Sequence, residues 1–157
     1  MFEASRALAD DRAVSISVGY VLNLAIATVL FSALLIGGSG LVESQTRIVT
    51  SDELSVTGQQ LAAELSAADR LVEAGENDPA ELSLRTELPD RTAAGGYTID
   101  IEHDDGEGTI ELRSTNPEVV VEVSFRSETD VLDTTVNGGS AEIEYDVGED
   151  RLEVSSA

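Results

Sequence analysis

Three patterns of apolar and polar positions succeed one another along the chain. The first is a run without charge. No Asp, Glu, Arg or Lys occurs from Ala13 to Val42, and residues 15–36 read SISVGYVLNLAIATVLFSALLI. A helix of about 20 apolar residues crosses a hydrocarbon core of about 30 Å. The run therefore predicts a transmembrane helix over residues 14–40, preceded by a charged leader, 1–13. It is longer than the ~7–15-residue apolar core of a cleavable secretory signal. Its Ser, Thr and Asn side chains can bond back to the helix or to a neighbour.

The second pattern has the helical period. Leu54, Leu61, Leu65, Ala68, Leu71 and Val72 recur at spacings that form one apolar stripe. Gln59, Gln60, Glu64, Asp69 and Glu73 fall on the opposite, wet side. This predicts an amphipathic helix over 41–75, stopped by Gly75. Gly58 weakens it locally. Gly37, Gly38 and Gly40 each cost roughly 1 kcal/mol in a helix interior, which leaves a continuous helix and a bend at that joint equally open.

The third pattern, after Asn77-Asp78-Pro79, has period two. Leu82, Leu84, Thr86 and Leu88 alternate with polar residues. So do Tyr97, Ile99 and Ile101, then Ile110 and Leu112. Val119, Val121, Val123 and Phe125 follow, then Ala141, Ile143, Tyr145 and Val147, and last Leu152 and Val154. Such alternation marks antiparallel strands with one face on a core and one in water. Asp104-Asp105-Gly106 and Asn116-Pro117 separate runs, and Asn137-Gly138 is the dipeptide of a type I′ hairpin. The expected fold class is α+β. A long N-terminal transmembrane helix continues into an amphipathic helix, which packs on a C-terminal antiparallel β domain, residues 80–157, of six or seven strands in a sheet.

Charge changes the picture of the second half. The 157 residues carry 31 Asp and Glu, 9 Arg, no Lys and one His, a formal net charge of −22. From Glu43 onward there are 28 acids and 7 arginines, 7 − 28 = −21. The acids are spread rather than clustered, as a uniformly solvated surface requires, and the composition resembles that of haloarchaeal proteins. Such a charge excludes binding nucleic acid through phosphates. Arg6 and Arg12 before the span, against Arg47 after it, favour a cytoplasmic N-terminus and an outside C-terminal domain.

Chemistry is sparse. Without Cys there is no disulfide or thiolate site, and one His leaves little for zinc or acid–base catalysis. No phosphate loop or nucleophile elbow occurs. Asp100, Glu102, Asp104, Asp105, Glu107 and Glu111 suggest a calcium loop until Asp105 occupies the position that needs Gly. His103 among them reads as a lone surface histidine. No Asn-x-Ser/Thr sequon is present. The expectation is no enzyme, no cofactor and no metal, with the membrane as first partner.

One junction carries more. Asp10-Asp11-Arg12-Ala13-Val14-Ser15-Ile16 brings a charged leader directly against the apolar helix. Arg12, Ala13, Val14, Ser15 and Gly19 match the class III signal peptide of haloarchaeal type IV pilin-like proteins, which this segment resembles. Ile16 stands where proline is usual, and Ser17-Val18 where Val-Ile is usual. The resemblance covers about 30 residues. It implies cleavage after Ala13 by a prepilin-type peptidase on the cytoplasmic face, leaving Val14 as the mature N-terminus and the helix in the mature protein.

Within the span, Ser15, Gly19, Asn23 and Ala27 recur every four residues, a stripe that lets helix backbones approach in lipid. Two roles fit. The chain is a subunit or minor component of a type IV pilus-like filament, contacting other pilin-like subunits through the N-terminal helix. Alternatively, it is a non-polymerising single-pass surface protein whose β domain binds a partner.

Overall fold

The computed structural model describes residues 3–75 and 82–157, with side chains from residue 18 onward. The Asn77-Asp78-Pro79 turn lies outside the described residues. One helix, α1 (Glu3–Ala74), covers both predicted helical segments. Backbone hydrogen bonding continues through Gly37–Gly40, so the glycines do not interrupt it. The chain divides into two compact units, Met1–Glu43 and Ser44–Ala157.

In the first unit, every described side chain from Val18 on is exposed within the chain. Residues from Val18 make a helix long and apolar enough to cross a membrane, with none of its apolar window buried by the protein. A soluble core helix of the same composition would be covered by its own domain. Here, leucines and valines such as Leu22, Leu30 and Leu34 have no cover from the chain.

In the second unit, residues 44–74 of α1 join the β domain, and one face of them enters its core. The eight strands among the described residues are β1 (Ser83–Thr86), β2 (Tyr97–Asp104), β3 (Glu107–Thr115), β4 (Glu118–Arg126), β5 (Asp130–Val131), β6 (Thr134–Asn137), β7 (Ala141–Asp146) and β8 (Arg151–Ser156). They form two four-stranded sheets, ordered β4-β3-β2-β6 and β1-β7-β8-β5. The pairs are antiparallel except β5 with β8, which run parallel. The expectation of one sheet is therefore corrected to two.

The change of sheet happens at Asn137-Gly138. This dipeptide is not a hairpin: β6 pairs with β2, while β7 pairs with β1 and β8. Gly138 N–H donates to Tyr97 O at 2.9 Å. A Cβ on Gly138 would lie 2.4 Å from the Tyr97 ring, so the glycine is required by close approach rather than by turn type. The type I′ geometry appears instead at Asp105-Gly106, where φ is +50° and +84° between the paired residues Asp104 and Glu107.

The core collects the apolar face of each element. Leu54, Leu61, Leu65 and Ala68 of α1 meet Ile99, Ile101, Ile110 and Leu112 of one sheet and Ile143, Leu152 and Val154 of the other. Full burial of each large side chain is worth about 1.5–3 kcal/mol. Two members of the predicted patterns depart: Leu71 and Val147 are exposed, and Val72 and Tyr145 pack against the core instead. Gly58 is a contact point. A Cβ there would stand 2.7 Å from Leu112 Cδ1 and 2.8 Å from Val123 Cγ2, so the residue that weakens the helix also lets it settle on the sheet.

Candidate functional site

The predicted processing residues Arg12, Ala13 and Val14, with Ser15 of the packing stripe, fall within the backbone of α1, but their side chains lie outside the described residues. Gly19, Asn23 and Ala27 are described and all exposed. Four-residue spacing on a helix places them along one side of it. Gly19, Gly37, Gly38 and Gly40 have open space where a Cβ would stand, so no packing within the chain requires them. Three hydroxyls of the described part of the span are satisfied locally. Thr28 donates to Leu24 O at 2.8 Å, Ser32 to Thr28 O at 2.9 Å and Ser39 to Ile36 O at 2.9 Å. Returning a hydroxyl proton to the helix's own carbonyls is what a low-dielectric surrounding demands.

The β domain holds a polar cluster at one end of its core that the sequence pattern did not reveal. Asp69, expected on the wet side of α1, is buried. Its Oδ1 accepts the Thr129 N–H at 2.8 Å and faces the Ser127 hydroxyl at 3.1 Å. Burial pushes the Asp69 carboxyl up, but the donors converging on it outweigh that. These are the Thr129 and Glu128 N–H groups and the Thr129 and Ser127 hydroxyls, and together they hold it below the ordinary carboxylate value. The Ser127 hydroxyl also lies 2.6 Å from Thr129 O, so its one proton is shared between two acceptors.

His103, expected at the surface, is the cluster's second member. Its side chain is 4% exposed. It continues the inward row Tyr97, Ile99 and Ile101 along β2, because alternate residues share a face. The ring stacks on Phe125, with centroids 6.0 Å apart and planes at 24°. Nδ1 lies 3.0 Å from Asp130 Oδ1, and Nε2 lies 3.3 Å from Ser127 O. The His103 backbone N–H donates to Asp133 Oδ1 at 2.9 Å. Thus β2 of one sheet, β5 of the other and α1 are tied together around Ser127. A scan for strand periodicity misses this because Ser127 and Thr129 lie in the link between β4 and β5.

The acids whose spacing partly suggests a calcium loop are spread along the β2–β3 hairpin, and among the described residues no group of three or more His, Asp or Glu side chains is placed to hold a metal ion. A family model described as a family of unknown function, DUF7266, matches residues 9–156. The chain belongs to that family. Neither a curated protein nor a solved structure matches it.

Proposed function

We propose that the chain is a pilin-like cell-surface protein, a subunit or minor component of a type IV pilus-like filament, with no catalytic role. The observation that carries this reading is the Arg12-Ala13-Val14-Ser15 junction set directly against an apolar helix. A prepilin-type peptidase cutting after Ala13 removes the charged leader and keeps the hydrophobic helix. That is the requirement for a subunit stored in the membrane and later drawn into a helical core. The N-terminus would face the cytoplasm and the acidic domain the outside.

Several features support the reading. The exposed span carries Gly19, Asn23 and Ala27, which suit close helix contact. Leu54, Leu61, Leu65 and Ala68, on the C-terminal half of α1, are part of the β domain's core. The −21 net charge from Glu43 onward suits a surface bathed in concentrated salt, where the Debye length falls to about 3 Å at 1 M.

A second reading is the non-polymerising single-pass anchor. The exposure of the whole described span favours it equally, since lipid alone would cover that surface. Arg12→Glu separates the two. The pilin-like reading expects the variant to accumulate with its leader attached and to be absent from any filament fraction. Wild-type and variant chains that both retain the leader, differing in mass only by the substitution, would leave the anchor as the account.

A further inference from the structure

We propose that one end of the β domain, built by the connections 87–96, 116–117 and 138–140, lies on the lipid headgroup layer while the chain is held in a membrane. The proposal rests on the apolar run spanning that membrane, which both readings of the function share.

The strand register gathers these connections. Tyr97 of β2 pairs with Ser114 of β3, Thr115 with Glu118 of β4, Thr98 with Asn137 of β6, and Thr86 of β1 with Ala141 of β7. The first part of the domain's helix stands at the same end. Glu53 accepts the Ala93 N–H at 2.7 Å, and Gln60 donates to Glu87 O at 3.4 Å. Asp69 marks the opposite end through Ser127 and Thr129.

Charge divides between the ends. The opposite end's strand connections, 105–106, 127–129, 132–133 and 147–150, hold Asp105, Glu128, Asp133, Glu149 and Asp150 and no arginine. The proposed end has longer connections, yet they hold only Glu87, Asp90 and Arg91. The rest of them is small and uncharged: Thr-Ala-Ala-Gly-Gly at 92–96, Asn-Pro at 116–117 and Gly-Gly-Ser at 138–140. Glu118 of β4 and Asp52 and Glu53 of α1 complete the acids of this end, and Glu53 is engaged by the loop. An anionic headgroup layer repels carboxylates within a Debye length, and dehydrating them is costly. A domain of this composition meets such a layer most readily where its acids are fewest.

Two further observations point to lipid. The buried Thr50 follows Val42, the last residue of the uncharged run, by eight positions. Eight residues reach no more than about 28 Å even at full stretch, so this end is tethered near the bilayer. Ile48 and Val49, on that tether, are exposed and gain by meeting lipid rather than water. The loop is also preformed. Thr92 and Gly95 exchange backbone hydrogen bonds at 2.8 and 2.9 Å, and the Tyr97 hydroxyl donates to Pro89 O at 2.7 Å. It leaves Arg91, Ala93 and Gly96 exposed, a guanidinium for phosphate beside residues small enough for close approach.

The chain has no cysteine, so a single introduced one carries a fluorescent label. The full chain is reconstituted in vesicles of phosphatidylcholine and phosphatidylglycerol in equal parts, with a quencher on the headgroups. At about 0.1 M salt, quenching at Ala93→Cys is expected to exceed that at Glu149→Cys by about threefold or more, since the two ends differ in their repulsion by the layer. Adding Arg91→Glu and Asn116→Asp, both at exposed positions, should cut the quenching at Ala93→Cys by about half. Salt at about 1 M should restore most of it, as the Debye length falls from about 10 to about 3 Å. Leu30→Cys with an acyl-chain quencher reports the span separately. If Leu30→Cys is quenched and Ala93→Cys is no more so than Glu149→Cys, the docking is overturned and the anchor stands. If Leu30→Cys is not quenched, the anchor fails and the docking with it. Undiminished quenching in the charge variant would reduce the contact to the tether's reach and overturn the proposal. Pyrene excimer emission at Ala93→Cys without headgroup quenching would give this end to a second copy and overturn it too.

Discussion

Glu111 of β3 and Glu122 of β4 stand directly opposite each other in the antiparallel register, and Asp100 of β2 faces Glu111 from the other side. Three carboxylates thus form one row across three strands, on the sheet face turned away from the core. Like charges opposite one another cost roughly 0.2–1 kcal/mol relative to neutral pairs. Arg113, ion-paired with Glu111, relieves only part of the row.

Neutralising one end of that row should therefore stabilise the domain, and more so at low salt. Glu122→Thr is expected to raise the melting temperature by a few degrees at 0.1 M salt, where the Debye length is about 10 Å. At 1 M, where it is about 3 Å, the gain should be small. Circular dichroism melts at the two salt concentrations read both numbers. Equal gains in each would mean that the row is not felt electrostatically. Wild type should itself melt higher and with sharper strand signal at 1 M.

Asp69 sets the acid limit. Its carboxyl is held below the ordinary value in the folded state, so its contribution is complete above the unfolded value of about 4 and is lost as pH falls through the folded one. Asp69→Asn is expected to cost on the order of 1.5–3 kcal/mol near neutral pH. The gap between variant and wild type should narrow as pH falls below the ordinary carboxylate value of about 4 and through the lower folded one. A gap unchanged between pH 7 and pH 2.5 in denaturant titrations would show that the bonds to Thr129 and Ser127 do not depend on the charge.

Gly58→Ala tests the seat of the helix on the sheet. Alanine is the better helix former by about 1 kcal/mol. Its methyl would meet Leu112 and Val123 at under 3 Å, and overpacking a tight core costs about 1–3 kcal/mol. The net expectation is a modest destabilisation, with Gly58→Leu losing several times more. A more stable Gly58→Ala would show that the contact yields freely.

In the span, Gly19→Leu and Asn23→Leu separate anchoring from assembly. Both should leave the chain in the membrane, and Asn23→Leu should insert at least as well as wild type. Both should lower helix–helix association, since small residues permit close approach and a buried amide bond is worth about 0.6–2 kcal/mol in lipid. Cysteine crosslinking along positions 19, 23 and 27 measures it. Wild-type behaviour in both variants, with no crosslinks, would leave the plain anchor.

The elements most visible in the sequence are those whose burial follows a strict period. Tyr97, Ile99 and Ile101, and Val119 to Phe125, announce β2 and β4, and Leu54, Leu61 and Leu65 announce the buried face of α1. The short strands β5 and β6 were not legible, because two and four residues give alternation too little length to register. Val131 and Val136 are their only clearly buried apolar members. Asn137-Gly138 misled because one dipeptide serves a tight turn and a close ring contact equally well. Asp69 and His103 misled because a polar side chain at the end of a core looks like a surface residue until its partners are known, and Ser127 and Thr129 lie about 60 residues from Asp69 in the chain. The processing signal proposed at Arg12-Ala13 is the reverse case: such a signal is written wholly in sequence, since a peptidase site needs no tertiary fold.

That junction also gives the most direct test. The account places the mature N-terminus at Val14, with residues 1–13 removed. Intact-mass and N-terminal peptide measurements on protein from its native membrane should find a chain beginning at Val14, whether it sits in the membrane or in a filament. A chain still carrying the Met1–Ala13 leader, or one cut after the apolar run near Gly40, would contradict the pilin-like reading.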